Sequence, residues 1–329
     1  MTITVSVPTD DERDLLRHGL AAAVPGDGGT GDGGPGDGAG AAPDVDIVVW
    51  DGTGTAPDGA ERIELFVGRY NAPPPAREAL AELPVLRVVQ LVSAGVEPWL
   101  PVVPDGVALC NGRGVHGSST AELAVAGLLS LLRELPAQLD AQRDRRWERR
   151  EARGLAGRRV LVLGAGDIGR RIGGVAELLD AEVTYVARTA REGVHALAEL
   201  PDLLPRQQVV VVALPLTAET ERLVDAAFLA ALPDGAVLVN ISRGRHVDTD
   251  ALVAELRAER LSAFLDVTDP EPLPAGHPLW DAPGLLLTPH LGGGTSGWEQ
   301  RAYRLVAEQV RRLADGGVES LVNRVAGDY

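Results

Sequence analysis

Three polar segments, each following an apolar run of the chain, carry side chains capable of acid–base and anion chemistry. "NISRGRHVDTDAL" contains Arg243, and "TPHLGGG" contains His290. The segment between them, "LDVTDPEPL", contains Asp266 and Glu271. An imidazole titrates near neutral pH and can move a proton, whereas a guanidinium grips carboxylates in a fork geometry. If the apolar runs are neighbouring parallel strands, these groups converge at the carboxyl edge of one sheet, where ligands bind.

A glycine-rich turn, "GAGDIG" from Gly164 to Gly169, follows the apolar run "RRVLVL" and precedes a helical pattern. In a strand–turn–helix–strand context this spacing predicts a dinucleotide-binding site. Gly164 permits the tight turn, Gly166 lets a pyrophosphate approach the backbone at the helix N-terminus, and Gly169 lets helix and strand pack closely. The alternative is a tight turn with a purely structural role.

The end of the next strand-like run, "VTYVARTAR", bears on which dinucleotide is used. An NAD site places Asp or Glu there to accept from the ribose 2′-hydroxyl. Here Ala187 occupies this position, and Arg188 and Arg191 follow. Guanidinium groups can grip a 2′-phosphate that a carboxylate would repel. We therefore predict NADP(H) as the preferred cofactor, with NAD(H) possible; the alternative is that both arginines are merely solvated.

Alternating strand-like and helical segments must position these groups, and they predict two parallel α/β units. The first contains "ITVSV", "VDIVVW", "IELFVG", "LRVVQLV" and "VALC", and the second runs from "RRVLVL" to "PGLLLTPH". Between them a long, densely apolar helix begins at Ser119, with Glu122 completing a capping box, and Pro136 kinks or ends it. The tail from Trp298 predicts an amphipathic helix that returns to the first unit. Residues 26–42 are Gly/Asp-rich and predict a mobile surface loop.

Composition narrows the classes of function open to this chain of 329 residues. Its formal net charge of −16 repels nucleic acid and anionic membranes, so neither is predicted as a partner. One cysteine, Cys110, excludes a disulfide framework and fits a reducing cytoplasm. The N-terminus lacks a signal-peptide pattern, and no apolar run has the length of a membrane span. Lysine is absent from the sequence, which excludes Schiff-base and P-loop lysine chemistry.

Together these motifs resemble the D-isomer-specific 2-hydroxyacid dehydrogenase family, in particular its NADP-type glyoxylate/hydroxypyruvate reductases. The matching pieces are "GAGDIG", "ALPLTAETERLV", "NISRGRHVDTDAL", "LDVTDPEPLP" with "HPLW", and "TPHLGG", in order along nearly the whole chain. The resemblance implies two Rossmann-like parallel-sheet α/β domains. A dinucleotide-binding domain at 116–293 would be inserted in a substrate domain formed by 1–115 and 294–329. A homodimer is also implied, with the helix from Ser119 as the expected contact.

The resemblance further implies interconversion of a small 2-oxo acid and the D-2-hydroxy acid, with Arg243, Glu271 and His290 as the catalytic residues. His290 would give a proton to the ketone oxygen, and a carboxylate at Glu271 favours the protonated imidazole that this step needs. Arg243 would hold the substrate carboxylate and polarise the ketone. Backbone N–H groups of Ser93-Ala94-Gly95 would bind the same carboxylate, and no metal is expected.

Cofactor contacts are implied in the glycine turn, at the arginine-bearing strand end and in the loops that carry the catalytic residues. They are Gly164, Gly166, Asp167, Ile168, Gly169, Arg188, Thr189, Arg191, Leu214, Pro215, Thr220, Ile241, Ser242, Arg243, Asp266, His290, Gly292 and Gly293. Substrate contacts are expected at Ser93, Ala94, Gly95, Arg243 and His290.

The remaining histidines are expected in solvated or structural positions: His18 and His195 on surface helices, His246 in a loop, and His277 in a turn. Two aromatic side chains are left open. His116 is interpreted either as a substrate contact or as structural, and Trp298 either as a pocket wall or as helix packing.

Two other functions are compatible with the same frame. Some members of this family oxidise phosphite or formate with the same dinucleotide site, although Glu271 and the NADP-type strand end disfavour formate. Other relatives are dinucleotide-sensing corepressors that recruit peptides, but the sequence shows no extra recruitment segment.

Overall fold

The chain divides into two compact units, Met1–His116 with Ser296–Asp328, and Gly117–Thr295. The computed structural model describes residues 2–22, 43–70 and 72–325, so the predicted Gly/Asp-rich loop at 26–42 lies outside the described residues. Each unit contains a parallel sheet with α-helices, and one unit draws on both ends of the chain. The predicted fold class is therefore confirmed. Within the described ranges no helix is long and apolar enough to cross a membrane.

Strands and helices are numbered in chain order. The strands of the described ranges are β1 (Ile3–Val7), β2 (Val45–Val49), β3 (Leu65–Gly68), β4 (Val88–Leu91), β5 (Ala108–Cys110), β6 (Arg159–Leu163), β7 (Glu182–Ala187), β8 (His195–Ala196), β9 (Val209–Val212), β10 (Val237–Asn240), β11 (Ser262–Leu265) and β12 (Leu285–Leu287). The α-helices of the same ranges are α1 (Asp10–Ala21), α2 (Pro74–Glu78), α3 (Gly117–Leu132), α4 (Leu135–Arg143), α5 (Asp167–Leu178), α6 (Leu200–Leu203), α7 (Ala226–Ala231), α8 (Thr249–Arg257) and α9 (Trp298–Gly316).

The first sheet lies in the unit that draws on both chain ends. Its strand order is β2-β1-β3-β4-β5, and every neighbouring pair is parallel. β1 and β3 are buried along their whole length, as expected for a parallel sheet that is covered on both faces. Because the strands share one direction, the loops after β2, β3 and β4 leave the sheet at a single edge.

Helices α1 and α9 pack against each other in this first unit. The Thr9 hydroxyl accepts a hydrogen bond from the backbone N–H of Glu12 at 3.3 Å, which caps the start of α1. Gly19 permits a close approach of the helices, since a Cβ there would lie 3.1 Å from the carbonyl oxygen of Tyr303. Helix α9 therefore belongs to the unit of the N-terminal strands, and the predicted return of the tail is confirmed.

The second sheet has the strand order β12-β11-β10-β9-β6-β7-β8, again with parallel pairs throughout the described strands. The chain builds outwards from β6 to β8 on one side and from β9 to β12 on the other, so the strand order reverses between β6 and β9. A reversal of this kind opens a crevice at the carboxyl edge of the sheet, where dinucleotides bind in doubly wound folds.

Two local predictions in the second unit are wrong. Helix α3 begins two residues before Ser119, so this serine lies inside the first turn and is buried instead of capping the helix with Glu122. His195 pairs with β7 in the short strand β8 and does not lie on a helix, although it is exposed as predicted. The predicted break near Pro136 is confirmed, because α4 begins there as a separate helix with the proline in its first turn.

Candidate active site

The glycine turn follows β6 and leads into α5, at the reversal of strand order. Gly164 has a φ of 111°, in the region that favours glycine, and a Cβ there would clash with the carbonyl oxygen of Ala213. A Cβ at Gly169 would clash with the carbonyl oxygen of Gly164. Both positions therefore require glycine so that the turn can close against β9 and α5 can pack against β6.

Gly166 differs from the other two glycines because the space beside it is open. No described protein atom lies within 4 Å of the Cβ that a side chain would place there. Gly166 is exposed and immediately precedes α5, whose N-terminal N–H groups favour an anion. The glycine turn is thus closely packed at Gly164 and Gly169 and open at Gly166, and this shape fits a dinucleotide pyrophosphate. Asp167 and Ile168 form the first turn of the helix, and the Asp167 carboxylate pairs with Arg171 at 2.9 Å.

The loop after β7 carries the predicted phosphate-binding arginines. Arg188, Thr189 and Arg191 are all exposed, and the partly buried Ala187 ends the strand. The Arg191 Nη2 atom lies 3.4 Å from the carbonyl oxygen of Ala165, inside the glycine turn. The Arg191 guanidinium therefore lies beside the glycine turn. It belongs to the loop after β7, whose last residue is Ala187 and not a carboxylate that could bind the ribose.

The loop after β9 uses one of the predicted cofactor residues internally. The Thr220 hydroxyl is buried; it donates to the carbonyl oxygen of Pro215 at 2.7 Å and accepts from the Thr217 N–H at 2.8 Å. Leu214 is buried as well, while Pro215 is exposed. The geometry thus assigns Thr220 to shaping the loop, and Pro215 to its outer surface.

Arg243 lies in the loop after β10 and is half-buried. Its Nη1 donates to the carbonyl oxygen of Ser242 at 2.7 Å, and its own carbonyl oxygen accepts from Asn240 Nδ2 at 2.8 Å. The next residue, Gly244, lies so close to Thr268 that a Cβ would overlap the Thr268 carbonyl group. The Arg243 loop therefore packs against the loop after β11. Ile241, which precedes Ser242 and Arg243 in the chain, is buried.

Asp266 anchors the loop that carries His290. Its side chain is 2% exposed, and it accepts hydrogen bonds from the Thr288 hydroxyl at 2.6 Å, the Leu291 N–H at 2.7 Å and the Gly292 N–H at 2.8 Å. The His290 N–H donates to the Asp266 carbonyl oxygen at 2.8 Å. One buried residue therefore fixes the backbone on both sides of the imidazole. Gly293, also predicted as a cofactor contact, continues this loop and is partly buried.

His290 and Glu271 form a direct pair. The Nδ1 atom of His290 lies 2.6 Å from Oε1 of Glu271, and the side chains are 42% and 41% exposed. With Nδ1 used in this way, Nε2 is the ring nitrogen that can exchange a proton with a substrate. Arg243 and this pair lie at the carboxyl ends of the neighbouring strands β10, β11 and β12, within one unit.

The predicted carboxylate-binding loop, Ser93-Ala94-Gly95, follows β4 in the first unit. The Ser93 hydroxyl donates to the Gly95 carbonyl oxygen at 3.0 Å, which tightens the loop. Ala94 is exposed, and Ser93 and Gly95 are partly buried. Whether these N–H groups bind a substrate stays a prediction.

An aromatic cluster lies beside this loop in the same unit. His116 is buried, and its Nε2 lies 3.1 Å from the carbonyl oxygen of Val92, next to Ser93. Its ring centroid is 5.6 Å from that of Tyr70 and 5.4 Å from that of Trp298. Both residues left open by the sequence therefore pack together against the core of this unit.

Comparison with known proteins identifies the family. A family model for the NAD binding domain of D-isomer specific 2-hydroxyacid dehydrogenases matches residues 125–292, about half of the chain. The chain belongs to the D-isomer specific 2-hydroxyacid dehydrogenase family.

Similar proteins carry several names within this dehydrogenase family. A D-3-phosphoglycerate dehydrogenase from Mycobacterium tuberculosis is 35% identical over 258 residues, covering 75% of this chain and 48% of that protein. The chain thus spans about half the length of that relative. A hydroxyphenylpyruvate reductase from Plectranthus scutellarioides is 32% identical, with 72% and 77% covered. A solved D-isomer specific 2-hydroxyacid dehydrogenase from Xanthobacter autotrophicus Py2, in complex with NADPH and MES, has a TM-score of 0.79 and 31% identity, covering 98% of each chain.

Two features of this dehydrogenase family member were not predicted from its sequence. Asp266 holds the His290 loop through N–H groups that lie about 25 residues further along the chain. The position of Asp266 directly after a buried strand is the one sequence signal for this role. The sequence predicts only that His246 lies in a loop, whereas the structure buries its imidazole fully between the loops after β9 and β10. His277 matches its predicted turn, where Nδ1 accepts from the Leu279 N–H at 3.2 Å. His18 is exposed on α1, as predicted.

Proposed function

We propose that this member of the D-isomer specific 2-hydroxyacid dehydrogenase family is an NAD(P)-dependent oxidoreductase. It interconverts a small 2-oxo acid and the corresponding D-2-hydroxy acid. The observation that carries the proposal is the 2.6 Å pair of His290 Nδ1 and Glu271 Oε1, in the same unit as a glycine turn that fits a pyrophosphate. A proton donor and a dinucleotide-binding turn in one unit are the minimum that ketone reduction requires.

In this proposal the unit Gly117–Thr295 binds the dinucleotide, and the unit that contains both chain ends contributes to substrate binding. The glycine turn and the N-terminus of α5 would hold the pyrophosphate, and residues of the loops after β9, β10 and β12 would bind the rest of the cofactor. The bound nicotinamide supplies the hydride in reduction and accepts it in oxidation. Every other step falls to the side chains of this protein.

His290 moves the proton. In reduction, Nε2 of the protonated imidazole donates to the ketone oxygen as negative charge develops there. Glu271 holds the ring through Nδ1 and so leaves Nε2 free to face the substrate. In oxidation the neutral imidazole accepts the proton of the hydroxyl group at the same atom, so one residue serves both directions.

Arg243 binds the carboxylate that every 2-oxo acid carries. Its guanidinium is permanently charged and planar, so it can grip a carboxylate and polarise the adjacent ketone. The guanidinium is already held by the Ser242 carbonyl oxygen at 2.7 Å, which reduces the conformational freedom lost on binding. The N–H groups of Ser93-Ala94-Gly95, in the unit of both chain ends, are proposed to take part in substrate binding.

NADP(H) is the proposed cofactor, with NAD(H) as a weaker alternative. Support comes from the exposed Arg188, from Arg191 with its guanidinium 3.4 Å from the glycine turn, and from Ala187 at the end of β7. A 2′-phosphate bound at the end of β7 would be attracted by the two guanidinium groups, and no carboxylate at position 187 would repel it. The lone cysteine, which is buried and free, supports a reducing compartment and hence the cytoplasm.

A homodimer is proposed, with contact on the second half of the helix predicted from Ser119, which the structure forms as α4 and the segment that follows it. Leu135 and Leu139 are about half exposed on α4, and Trp147 is 97% exposed. Large apolar side chains that are exposed together indicate an interaction surface.

The decisive experiment measures kcat/KM for a panel of 2-oxo acids with NADPH and with NADH, following the loss of reduced-cofactor absorbance. Glyoxylate, hydroxypyruvate and a branched 2-oxo acid form the panel, and turnover of at least one of them is expected. The panel also includes the reverse assay with phosphite and with formate. Activity confined to those two substrates, or no turnover with any compound, contradicts the proposal.

A further inference from the structure

His246 lies at the end of the Arg243 loop, and the chemistry proposed above gives it no task. The residue is 0% exposed, which is unusual for an imidazole unless both ring nitrogens have partners. Its Nε2 lies 3.2 Å from the carbonyl oxygen of Pro215, in the loop after β9. Its Nδ1 lies 3.1 Å from both the Ser242 hydroxyl and the Arg243 carbonyl oxygen, in the loop after β10. One buried ring therefore bridges two loops at the carboxyl edge of the second sheet.

The partners determine which ring nitrogen carries the proton. A carbonyl oxygen only accepts, so Nε2 must be the donor to Pro215. The Ser242 hydroxyl can donate to an unprotonated Nδ1 at 3.1 Å; it also lies 3.2 Å from Asn240 Oδ1, an acceptor that the Ser242 N–H already serves at 3.1 Å. The Arg243 carbonyl oxygen receives its hydrogen bond from Asn240 Nδ2 at 2.8 Å. In the neutral Nε2–H tautomer the ring donates to Pro215 and accepts from Ser242, and its Nδ1 lone pair faces the Arg243 carbonyl oxygen at 3.1 Å. In the Nδ1–H tautomer the ring donates to the Arg243 oxygen and sets a lone pair against the Pro215 oxygen, so only the Nε2–H tautomer joins the two loops by a hydrogen bond.

Both ends of this bridge are firmly held. The Pro215 carbonyl oxygen also accepts from the buried Thr220 hydroxyl at 2.7 Å, so it is fixed from two directions. At the other end, Ser242 offers its hydroxyl to the ring and its carbonyl oxygen to the Arg243 guanidinium. A displacement of the Ser242 backbone would therefore carry the guanidinium with it.

We propose that His246 is a positioning residue, which acts through Ser242 and Arg243 and presets the guanidinium for the carboxylate of a 2-oxo acid. The inference rests on the proposed function, because it takes Arg243 as the carboxylate-binding group. His246 touches neither reacting atom. Its contribution is to lock the Arg243 loop to the Pro215 loop, so that the guanidinium does not have to be ordered when the substrate binds.

The kinetic test compares two variants of His246 in the full-length protein. His246→Leu removes the bridge, and we expect KM for the 2-oxo acid to rise about tenfold or more, since small displacements of binding groups are costly. His246→Gln keeps an N–H that can reach Pro215, and most of the loss is expected to be restored. His195→Leu is the matched control, because it removes an exposed imidazole that pairs with Glu199 in the same unit. KM should be unaffected in this control.

A separate readout does not depend on turnover. Nitrogen NMR spectra of protein labelled at histidine, without added dinucleotide, report the tautomer of each ring, and His246→Gln assigns the relevant signals. The neutral Nε2–H form is expected. The Nδ1–H form, or an unchanged KM in a folded His246→Leu variant, overturns the proposal.

A variant that does not fold and a failure of the proposed function give different results. If His246→Leu does not fold, Ser242→Ala tests the same bridge by removing the hydroxyl donor to Nδ1, and a KM that does not rise overturns the inference. If the wild-type protein turns over none of the 2-oxo acids, the proposed function fails first. The NMR spectrum then still decides whether the bridge itself exists.

Discussion

The backbone of His290 adopts a left-handed conformation, with φ of 55°, that residues with a Cβ rarely use. Such a conformation costs about 1–2 kcal/mol per residue, so the surrounding structure must compensate. Asp266 does so, because its carbonyl oxygen and carboxylate accept from the N–H groups of His290, Leu291 and Gly292. The buried hydrogen bonds to Asp266 therefore fix the backbone at His290, and the hydrogen bond to Glu271 fixes the orientation of the imidazole ring.

Replacing His290 with Gln removes the proposed proton donor and keeps an amide that can still hydrogen-bond to Glu271. We expect kcat for 2-oxo acid reduction to fall by about 10²–10⁴-fold, the usual contribution of general acid–base catalysis. The dissociation constant for NADPH, measured by fluorescence titration, should stay nearly unchanged. Turnover close to that of the wild type would remove the proton-transfer role.

The single cysteine allows a test of burial by chemical reactivity. Burial raises the pKa of the Cys110 thiol to about 11, although Arg324 and Gln309 oppose the shift. The thiolate is the reactive species, so it is almost absent at neutral pH. We expect no labelling by a thiol reagent such as DTNB in the native protein, and one equivalent per chain after denaturation. Fast stoichiometric labelling of the native protein would show that the thiol is accessible.

Single residues were predictable from sequence where the signal is local. Arg243 and His290 stand directly after apolar runs, so their place at a sheet edge follows from the pattern alone. The tasks of Asp266 and His246 depend on partners contributed by distant loops, and no spacing rule brings those partners together. Thr220 shows the converse, since a residue expected to face the cofactor uses its hydroxyl inside its own loop.

At the scale of elements, α5 offers a matched pair of adjacent glycines. A Cβ at Gly173 would clash with the Tyr185 hydroxyl and lie 2.6 Å from Cζ of that ring, which Arg170 covers at 4.0 Å. At Gly174 nothing lies within 4 Å. We expect Gly173→Ala to lower the free energy of unfolding by about 1–3 kcal/mol through overpacking. Gly174→Ala should raise it by about 0.5–1 kcal/mol, because alanine is the better helix former.

Urea denaturation of the two variants and the wild type measures both changes. Each variant serves as the control of the other, since the same methyl group is added one residue apart in the same helix. Equal effects of the two substitutions would show that the packing of β7 against α5 does not decide the outcome.

The end of β7 should decide which dinucleotide is preferred. Ala187→Asp adds a carboxylate that accepts from a ribose 2′-hydroxyl and repels a 2′-phosphate. We expect the ratio of kcat/KM for NADPH to that for NADH to fall at least about tenfold, equivalent to about 1.4 kcal/mol. Ala230→Asp, at an exposed position on α7, adds the same charge elsewhere and should leave the ratio unchanged. An unaltered ratio in Ala187→Asp contradicts the assignment of this strand end.

Elements were predictable where their whole length is buried. "VVVV" of β9 and "VLVN" of β10 stand out because strands covered on both faces read as unbroken apolar runs. β8 was missed because two residues carry no periodicity, and its exposed His195 resembles a residue of a surface helix. The start of α3 was misplaced at Ser119, because a cap-like sequence can equally fall inside a helix when packing buries it.

At the scale of the whole molecule, charge is distributed unevenly. Residues 143–153, "RDRRWERREAR", contain six arginines and three carboxylates, a net charge of +3 in a chain with a net charge of −16. A basic segment on an acidic protein is attracted to another copy of the same chain. Trp147 lies within this segment, and the half-exposed Leu139 precedes it on α4. Exposed apolar side chains and a basic segment thus follow one another along residues 135–153, and this combination favours a second, acidic copy of the chain as the partner.

The prediction that follows concerns mass in solution. The wild-type protein should sediment with twice the mass of one chain. Asp at both Leu139 and Trp147 should raise the dissociation constant at least about thirtyfold, since losing central apolar anchors typically costs 2 kcal/mol or more. Leu178→Asp is the control, because this leucine on α5 is 84% exposed and lies outside the proposed contact. A monomeric wild type, or dissociation in the control as well, would show that α4 and its basic extension are not the contact.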